Sequence, residues 1–189
     1  KLGKSLNNSY LLSDILAKGF SLDAFKVLVL SSHYRTEGNF TWEILEAAQN
    51  SLKNWQAVAD LRWQLVGDND NKFEFDYFGQ RVLEELASDL DTPKALNVFD
   101  AAFSNLDRDF SSGTLISREG ITEFLTSIND LVGVNLIKPD ISDWQKELLK
   151  LRQKARDSKD FEESDRIRDE LKASGLEVRD TDSGQIWSR

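Results

Sequence analysis

Apolar side chains recur every three or four positions through most of the chain, the spacing of helices with one buried face. Residues 1–12 are polar and glycine-containing and read as a loop. Ser13 and Gly19 bracket a short helix as cap and stop. Ser21 opens the next, whose Leu22, Phe25, Leu28 and Val29 form an apolar stripe, with Phe25 and Leu28 expected to be half exposed. Thr41 caps a helix that should run to about residue 65, carrying Ile44, Leu45, Ala48, Leu52, Trp55, Val58 and Ala59 on one face. After a polar break at 67–71, Phe78, Val82, Leu83 and Leu86 mark a helix over about 75–87. Thr92-Pro93 is a start signal: the threonine oxygen can accept from the free N–H groups, and proline at the first position loses no hydrogen bond. That helix carries Ala95, Leu96, Phe99, Ala102 and Phe103 and should end before a loop at 110–114. Ser117 opens a helix with Ile121, Phe124, Leu125, Ile128 and Leu131, closed by Gly133. Four helices with short links between 41 and 133 predict an antiparallel bundle.

The pattern changes after Pro139. Ser142-Asp143-Trp144-Gln145 is a capping box, and Asp160-Phe161-Glu162-Glu163 is a second. The second helix should reach about residue 173, with Gly175 as its stop. Residues 176–179 and 185–187 flank Asp-Thr-Asp-Ser-Gly and predict a β-hairpin. The expected fold class is therefore mainly α. It comprises a junction over 1–40, a helical bundle over 41–138, and a small α+β unit of two helices and a hairpin over 139–189.

Composition narrows the chemistry. The chain has 189 residues, 40% of them hydrophobic, enough for a sizeable core. No apolar run approaches the roughly 20 residues of a membrane span. Cysteine is absent and His33 is the one histidine, which excludes thiolate or multi-histidine metal sites within these residues. With Lys1 first and no methionine, the chain is expected to be a piece of a longer protein. The net charge of −9 argues against indiscriminate nucleic-acid binding. That charge is unevenly placed. Residues 1–145 hold 13 basic and 22 acidic side chains, whereas residues 146–189 hold 11 of each. Residues 146–159 alone hold six basic side chains against two acidic ones. A basic stripe on an acidic protein is a local address, although such a run is also what a solvated helix face looks like.

Lys1-Leu2-Gly3-Lys4-Ser5 places two lysines three apart in a Gly/Ser loop, which can fold over a polyphosphate. The loop lacks the longer glycine-to-Gly-Lys spacing of a P-loop. With Leu6-Asn7-Asn8 it resembles the Lys-Met-Ser-Lys-Ser-Leu-Gly-Asn signature of class I aminoacyl-tRNA synthetases. Further elements are similar to the cysteinyl members of that class. They are Ser31-Ser32-His33-Tyr34-Arg35, Asp89-Leu90-Asp91-Thr92-Pro93-Lys94-Ala95, and Arg156-Asp157-Ser158-Lys159-Asp160-Phe161 followed by Asp165-Arg166-Ile167-Arg168-Asp169-Glu170-Leu171. The ending Gly175, Asp180, Gly184 and Trp187 fits too. The resemblance runs through the whole chain in order, and it is to the C-terminal part of the cysteinyl-tRNA synthetases.

The resemblance implies roles, residue by residue. Lys4 would bind ATP phosphates, with Lys1 ordering the signature loop; Leu2, Gly3 and Asn7 depart from the family pattern. Residues 1–40 would be a stem-contact junction, and the last unit would read the anticodon through Arg156, Phe161, Asp165, Arg168 and Asp180. Arginine forks, carboxylates and an aromatic face are the groups that read splayed single-stranded bases. Lys150, Arg152, Lys154 and Lys159 would position phosphates. Each has a plainer reading: Phe161 as packing on Ile167 or Leu171, Asp165–Arg168 as a helix-surface pair, Trp187 as hairpin core, His33 as a structural residue. The implied partners are tRNA(Cys), ATP with Mg2+ and, through the full-length enzyme, L-cysteine. Zinc is implied only in an upstream catalytic domain, with no metal site in this chain. The implied setting is a cytoplasmic monomer without membrane contact. These residues alone should not activate cysteine, since the family's catalytic core lies upstream. The alternative is a stand-alone, non-catalytic RNA-binding protein derived from the family. Cysteine ligases of thiol biosynthesis share the signature loop, but generally lack an equivalent of residues 142–189.

Overall fold

The computed structural model describes residues 10–65, 75–113, 116–181 and 184–189. Lys1, Leu2, Gly3, Lys4 and Ser5 of the signature loop lie outside the described residues, as do the polar break at 67–71 and the hairpin-turn residues 182 and 183. The elements in chain order are α1 (Leu12–Ala17), α2 (Leu22–Leu30), α3 (Trp42–Ala59), a 3₁₀ turn (Asp60–Trp63), α4 (Phe75–Ala87), α5 (Thr92–Ser111), α6 (Arg118–Val132), α7 (Asp143–Asp157) and α8 (Phe161–Ala173). Two strands close the chain, β1 (Glu177–Thr181) and β2 (Gly184–Ser188), paired antiparallel. The fold is mainly α with a small terminal hairpin.

The caps do much to set these boundaries. Side-chain oxygens of Ser21, Thr41, Ser117 and Asp160 accept the backbone N–H three residues on, at 3.0–3.2 Å. Ser142 and Gln145 form the reciprocal capping box. Each such cap contributes about 1 kcal/mol. Gly133 closes α6 at φ +71°, a conformation that favours glycine.

Several boundaries differ from the sequence expectation, each for a local reason. Asp91, not Thr92, caps α5, because its carboxylate accepts from Lys94 N at 3.2 Å. Asp14 accepts from Leu11 N at 2.7 Å, which starts α1 one residue before Ser13. The second expected box is only half made. Asp160 N donates to Ala155 O, and the Glu163 carboxylate is engaged by Arg166. α3 stops at Ala59 instead of continuing to about residue 65. The next turn tightens where Asp60, Arg62 and Gln64 are committed to distant partners. α5 extends to Ser111, into the expected loop. Leu83 and Ile44 are exposed, lying off the stripes that Phe78–Val82 and Leu45–Leu52–Trp55 define. Leu28 is buried, against the expectation of half exposure, whereas Phe25 is partly buried and packs against the core.

Two apolar cores result. The larger joins Ile15, Ala24, Val27 and Leu28 with Leu45, Leu52 and Trp55 of α3, Phe78 and Val82 of α4, Leu96, Phe99 and Phe103 of α5, and Ile121, Phe124, Leu125 and Ile128 of α6. At its centre Trp55 stacks on Phe103 at 5.8 Å, and Phe103 meets Phe124 at 5.6 Å. The smaller core holds Ile141, Leu148, Leu149, Ile167, Leu171, Leu176 and Trp187, with Trp63 and Val178 packed against it.

A polar joint links the two. Asp60, fully buried, accepts from Arg189 Nε at 2.8 Å and Nη2 at 2.9 Å, and from Gln56 at 3.1 Å. Arg189 also donates to Pro139 O at 2.7 Å, and buried Arg62 donates to Lys138 O. The Gln64 amide pairs with the Trp187 backbone in both directions, at 2.9 and 2.8 Å. The hairpin is thereby tied to the end of α3.

Candidate nucleic-acid interface

Arg152 and Arg156 lie four apart on α7 and so share a face. On the hairpin, the antiparallel register sets Asp180 opposite Gln185 and Val178 opposite Trp187. With a side-chain period of two, Val178, Asp180, Gln185 and Trp187 share one face. Val178 and Trp187 join the small core, and Asp180 and Gln185 meet Arg152. Arg179 and Ile186 take the other face, where Arg179 pairs with Asp107 of α5 at 3.3 Å.

These elements bring together residues that lie as far as 33 positions apart in sequence. The Asp180 carboxylate accepts from Arg152 at both oxygens, at 2.8 and 2.9 Å, and forms an ion pair with Arg156, whose Nη1 lies 3.1 Å away. Arg168 contributes electrostatically at the same carboxylate and pairs with Asp165 at 3.2 Å. Arg156, Asp165, Arg168 and Asp180 therefore form one charged patch, built from α7, α8 and β1. The Arg152 guanidinium holds the Asp180 carboxyl below the usual carboxylate range. Partial burial opposes this, and Arg156 and Arg168 add to the depression. Asp180 is ionised at neutral pH and half exposed, its side chain 39% accessible. Phe161 is 61% exposed at the start of α8; it does not pack into the small core on Ile167 or Leu171.

One expectation needs correction. Arg152 was a candidate phosphate contact, but its side chain is only 2% exposed. Its guanidinium is spent on Asp180 and Gln185 beneath the surface, so it cannot reach a phosphate. Lys150 is exposed and only loosely paired with Glu147, at 3.5 Å. Lys154 and Lys159 are exposed and pair with no acidic side chain among the described residues. Lys159 has φ +60°, a left-handed conformation costly for a residue with a Cβ. Lys146, the first cation of the stripe, is taken by Asp140 at 2.7 Å.

Sequence reasoning missed Gln185 and the Asp60–Arg189 joint. Counting outward from a two-residue link, with Thr181 across from Gly184, would have set Gln185 across from Asp180. No sequence signal joins Asp60 to Arg189, which are 129 positions apart. His33, Tyr34 and Arg35 meet Asp89 in the turn before α5: Tyr34 Oη donates at 2.7 Å, Arg35 Nη2 at 2.8 Å, and His33 Nε2 lies 3.2 Å from the Asp89 carbonyl. Two of the motifs noted in the sequence are thus one tertiary knot. Trp187 is buried in the small core. Among the described residues, no cluster of three or more His, Asp or Glu could hold a metal ion, and no helix is long and apolar enough to cross a membrane.

Residues 138–187, which hold α7, α8 and the hairpin, match the family model of the cysteinyl-tRNA ligase anticodon binding domain. The whole chain aligns with cysteine–tRNA ligases. It is 32% identical over 200 residues to that of Finegoldia magna, 32% over 208 to that of Campylobacter jejuni, and 27% over 205 to that of Brachyspira hyodysenteriae. The chain matches the C-terminal part of the cysteine–tRNA ligase family. Every residue of the chain is covered in these alignments, against 42–44% of each relative, so it spans less than half their length. The charged patch and the exposed Phe161 both fall inside the matched anticodon-binding domain.

Proposed function

We propose that residues 139–189 read the anticodon of tRNA(Cys) on behalf of a cysteine–tRNA ligase. The observation that carries this reading is the convergence of Arg156, Asp165, Arg168 and Asp180 on one patch beside an exposed aromatic ring. An ionised, half-exposed carboxylate can accept from the Watson–Crick edge of an unpaired guanine, arginine forks can donate, and Phe161 offers a stacking face. Lys150, Lys154 and Lys159 supply the phosphate contacts that fix register without reading sequence. The acidic remainder repels RNA elsewhere and confines binding to this address.

The wider reading is that the full protein activates L-cysteine with ATP and transfers it to tRNA(Cys). Lys4 and Lys1 would then hold ATP phosphates with Mg2+, and zinc would belong to a catalytic domain outside these residues. A cytoplasmic, monomeric enzyme is the setting we propose.

The test is equilibrium binding of this chain to a tRNA(Cys) transcript and to the same transcript with its first anticodon base changed, at fixed salt. The expected loss on changing the base is about 1–3 kcal/mol, the value of one direct base contact. Arg156→Ala should erase most of that difference. Equal affinity for both transcripts would show that the patch preserves a fold without readout.

A further inference from the structure

Beneath the patch, one buried side chain holds its Asp180 carboxylate. Arg152 is buried, yet it makes a bidentate pair with the half-exposed Asp180, and Nη1 also donates to Gln185 Oε1 at 2.9 Å. Gln185 in turn donates to Leu149 O, one turn back on α7. Helix and hairpin are thus stitched together at the point where Asp180 turns outward. A planar fork fixes both the position and the plane of the carboxylate that it grips, which a single ammonium cannot do. Each carboxylate oxygen has two acceptor directions, so a carboxylate gripped from below keeps capacity for a ligand above. Arg156, on the same helix face and 37% exposed, touches Asp180 from the solvent side and is the arm free to swing toward a base.

We propose that Arg152 is the positioning residue of this patch: it touches no RNA, but holds Asp180 in the orientation that accepts a base edge. This rests on the anticodon reading above. A solvent-facing carboxylate on a two-stranded hairpin would otherwise sample several rotamers, and the ordering cost would fall on each binding event. With Arg152 in place that cost is met on folding.

The experiment compares the wild-type chain with Arg152→Met, Arg152→Lys and Gln185→Met, on the tRNA(Cys) transcript and its first-base variant. Thermal melts establish which chains are folded, and 13C NMR follows the titration of the Asp180 carboxyl. Arg152→Met should lose the preference for the cognate transcript, on the order of tenfold, by weakening the cognate complex. It should also move the Asp180 titration upward. Arg152→Lys should recover part of the titration shift but little of the preference, because it restores charge without the fork. Gln185→Met removes one tether and should lose less in the same direction; it carries the test if Arg152→Met does not fold. A folded Arg152→Met or Gln185→Met chain with the wild-type preference overturns the inference, and so does an upward Asp180 titration with preference intact. A wild-type chain that does not distinguish the transcripts overturns the anticodon reading and this inference together.

Discussion

Two arginine–carboxylate pairs in this molecule are both bidentate, one through Nε and Nη2 and the other through Nη1 and Nη2, and they are turned inside out relative to one another. At the joint, Asp60 is fully buried and Arg189 arrives from the edge, 25% exposed. At the patch, Arg152 is buried and Asp180 is 39% exposed. The Asp60 carboxylate is surrounded by donors from Arg189 and Gln56 and faces no solvent. The Asp180 carboxylate is gripped from below and open above. The difference teaches which end of an ion pair can meet a ligand. A buried carboxylate with all its donors internal is a fastening, and the same group turned outward over a buried guanidinium is an acceptor held ready.

The comparison can be broken at its buried ends. Arg189→Ala strands the Asp60 carboxylate without its main partner, and a buried charge so orphaned costs about 3–5 kcal/mol. Urea unfolding should show a loss of that size, with base preference retained by whatever fraction stays folded. Asp180→Ala strands Arg152 in the same way, but Gln185 still accepts from it. The expected loss is smaller, about 1.5–3 kcal/mol, the value of hydrogen bonds to a charged group. Here base preference should vanish as well, and a binding assay at matched folded fraction separates the two effects.

A subtler break is at Lys159. Its left-handed backbone is destabilising for any residue with a Cβ, so Lys159→Gly should stabilise the chain by about 0.5–1 kcal/mol. The same change removes an exposed cation from the face we propose for RNA. Affinity for both transcripts should fall together, and the slope of log affinity against log salt should shrink by about one. A gain in stability with no change in salt slope would remove Lys159 from the phosphate contacts.

The smallest effect is with pH. The folded-state pKa of Asp180 is depressed, so the stabilisation it contributes is present above the ordinary aspartate value of about 4 and is lost as pH falls through its lower folded value. Base preference should accordingly stay level from pH 8 down to about 5. A decline within that window, followed by fluorescence binding titration, would mean that some group other than the Asp180 carboxylate carries the readout.

Much of this was legible beforehand. The eight helices follow from apolar spacing and caps, because those signals act within one or two turns: Ser21, Thr41, Ser117 and the Ser142–Gln145 box all function where expected. The hairpin follows from turn residues between short β-prone runs. The patch residues Arg156, Asp165, Arg168 and Asp180 were singled out by the resemblance to the family's C-terminal motif, and the structure brings them together. Boundaries were less legible. Helix α3 ends early because Asp60 and Arg62 have partners far along the chain, and no local preference records that.

By itself, then, the sequence determined what short-range physics can encode: helix positions and faces, the hairpin, the change of charge at the C-terminal unit, and which residue types could read a base. Only the tertiary structure decided which arginine faces solvent. Arg152 and Arg156 have the same chemistry and sit one turn apart on the same helix, so composition and spacing treat them alike. The hairpin packs over the first and leaves the second at the rim, because Val178 and Trp187 must bury their side chains against α7 and α8. That packing buries one guanidinium beneath Asp180 and leaves the other at the surface.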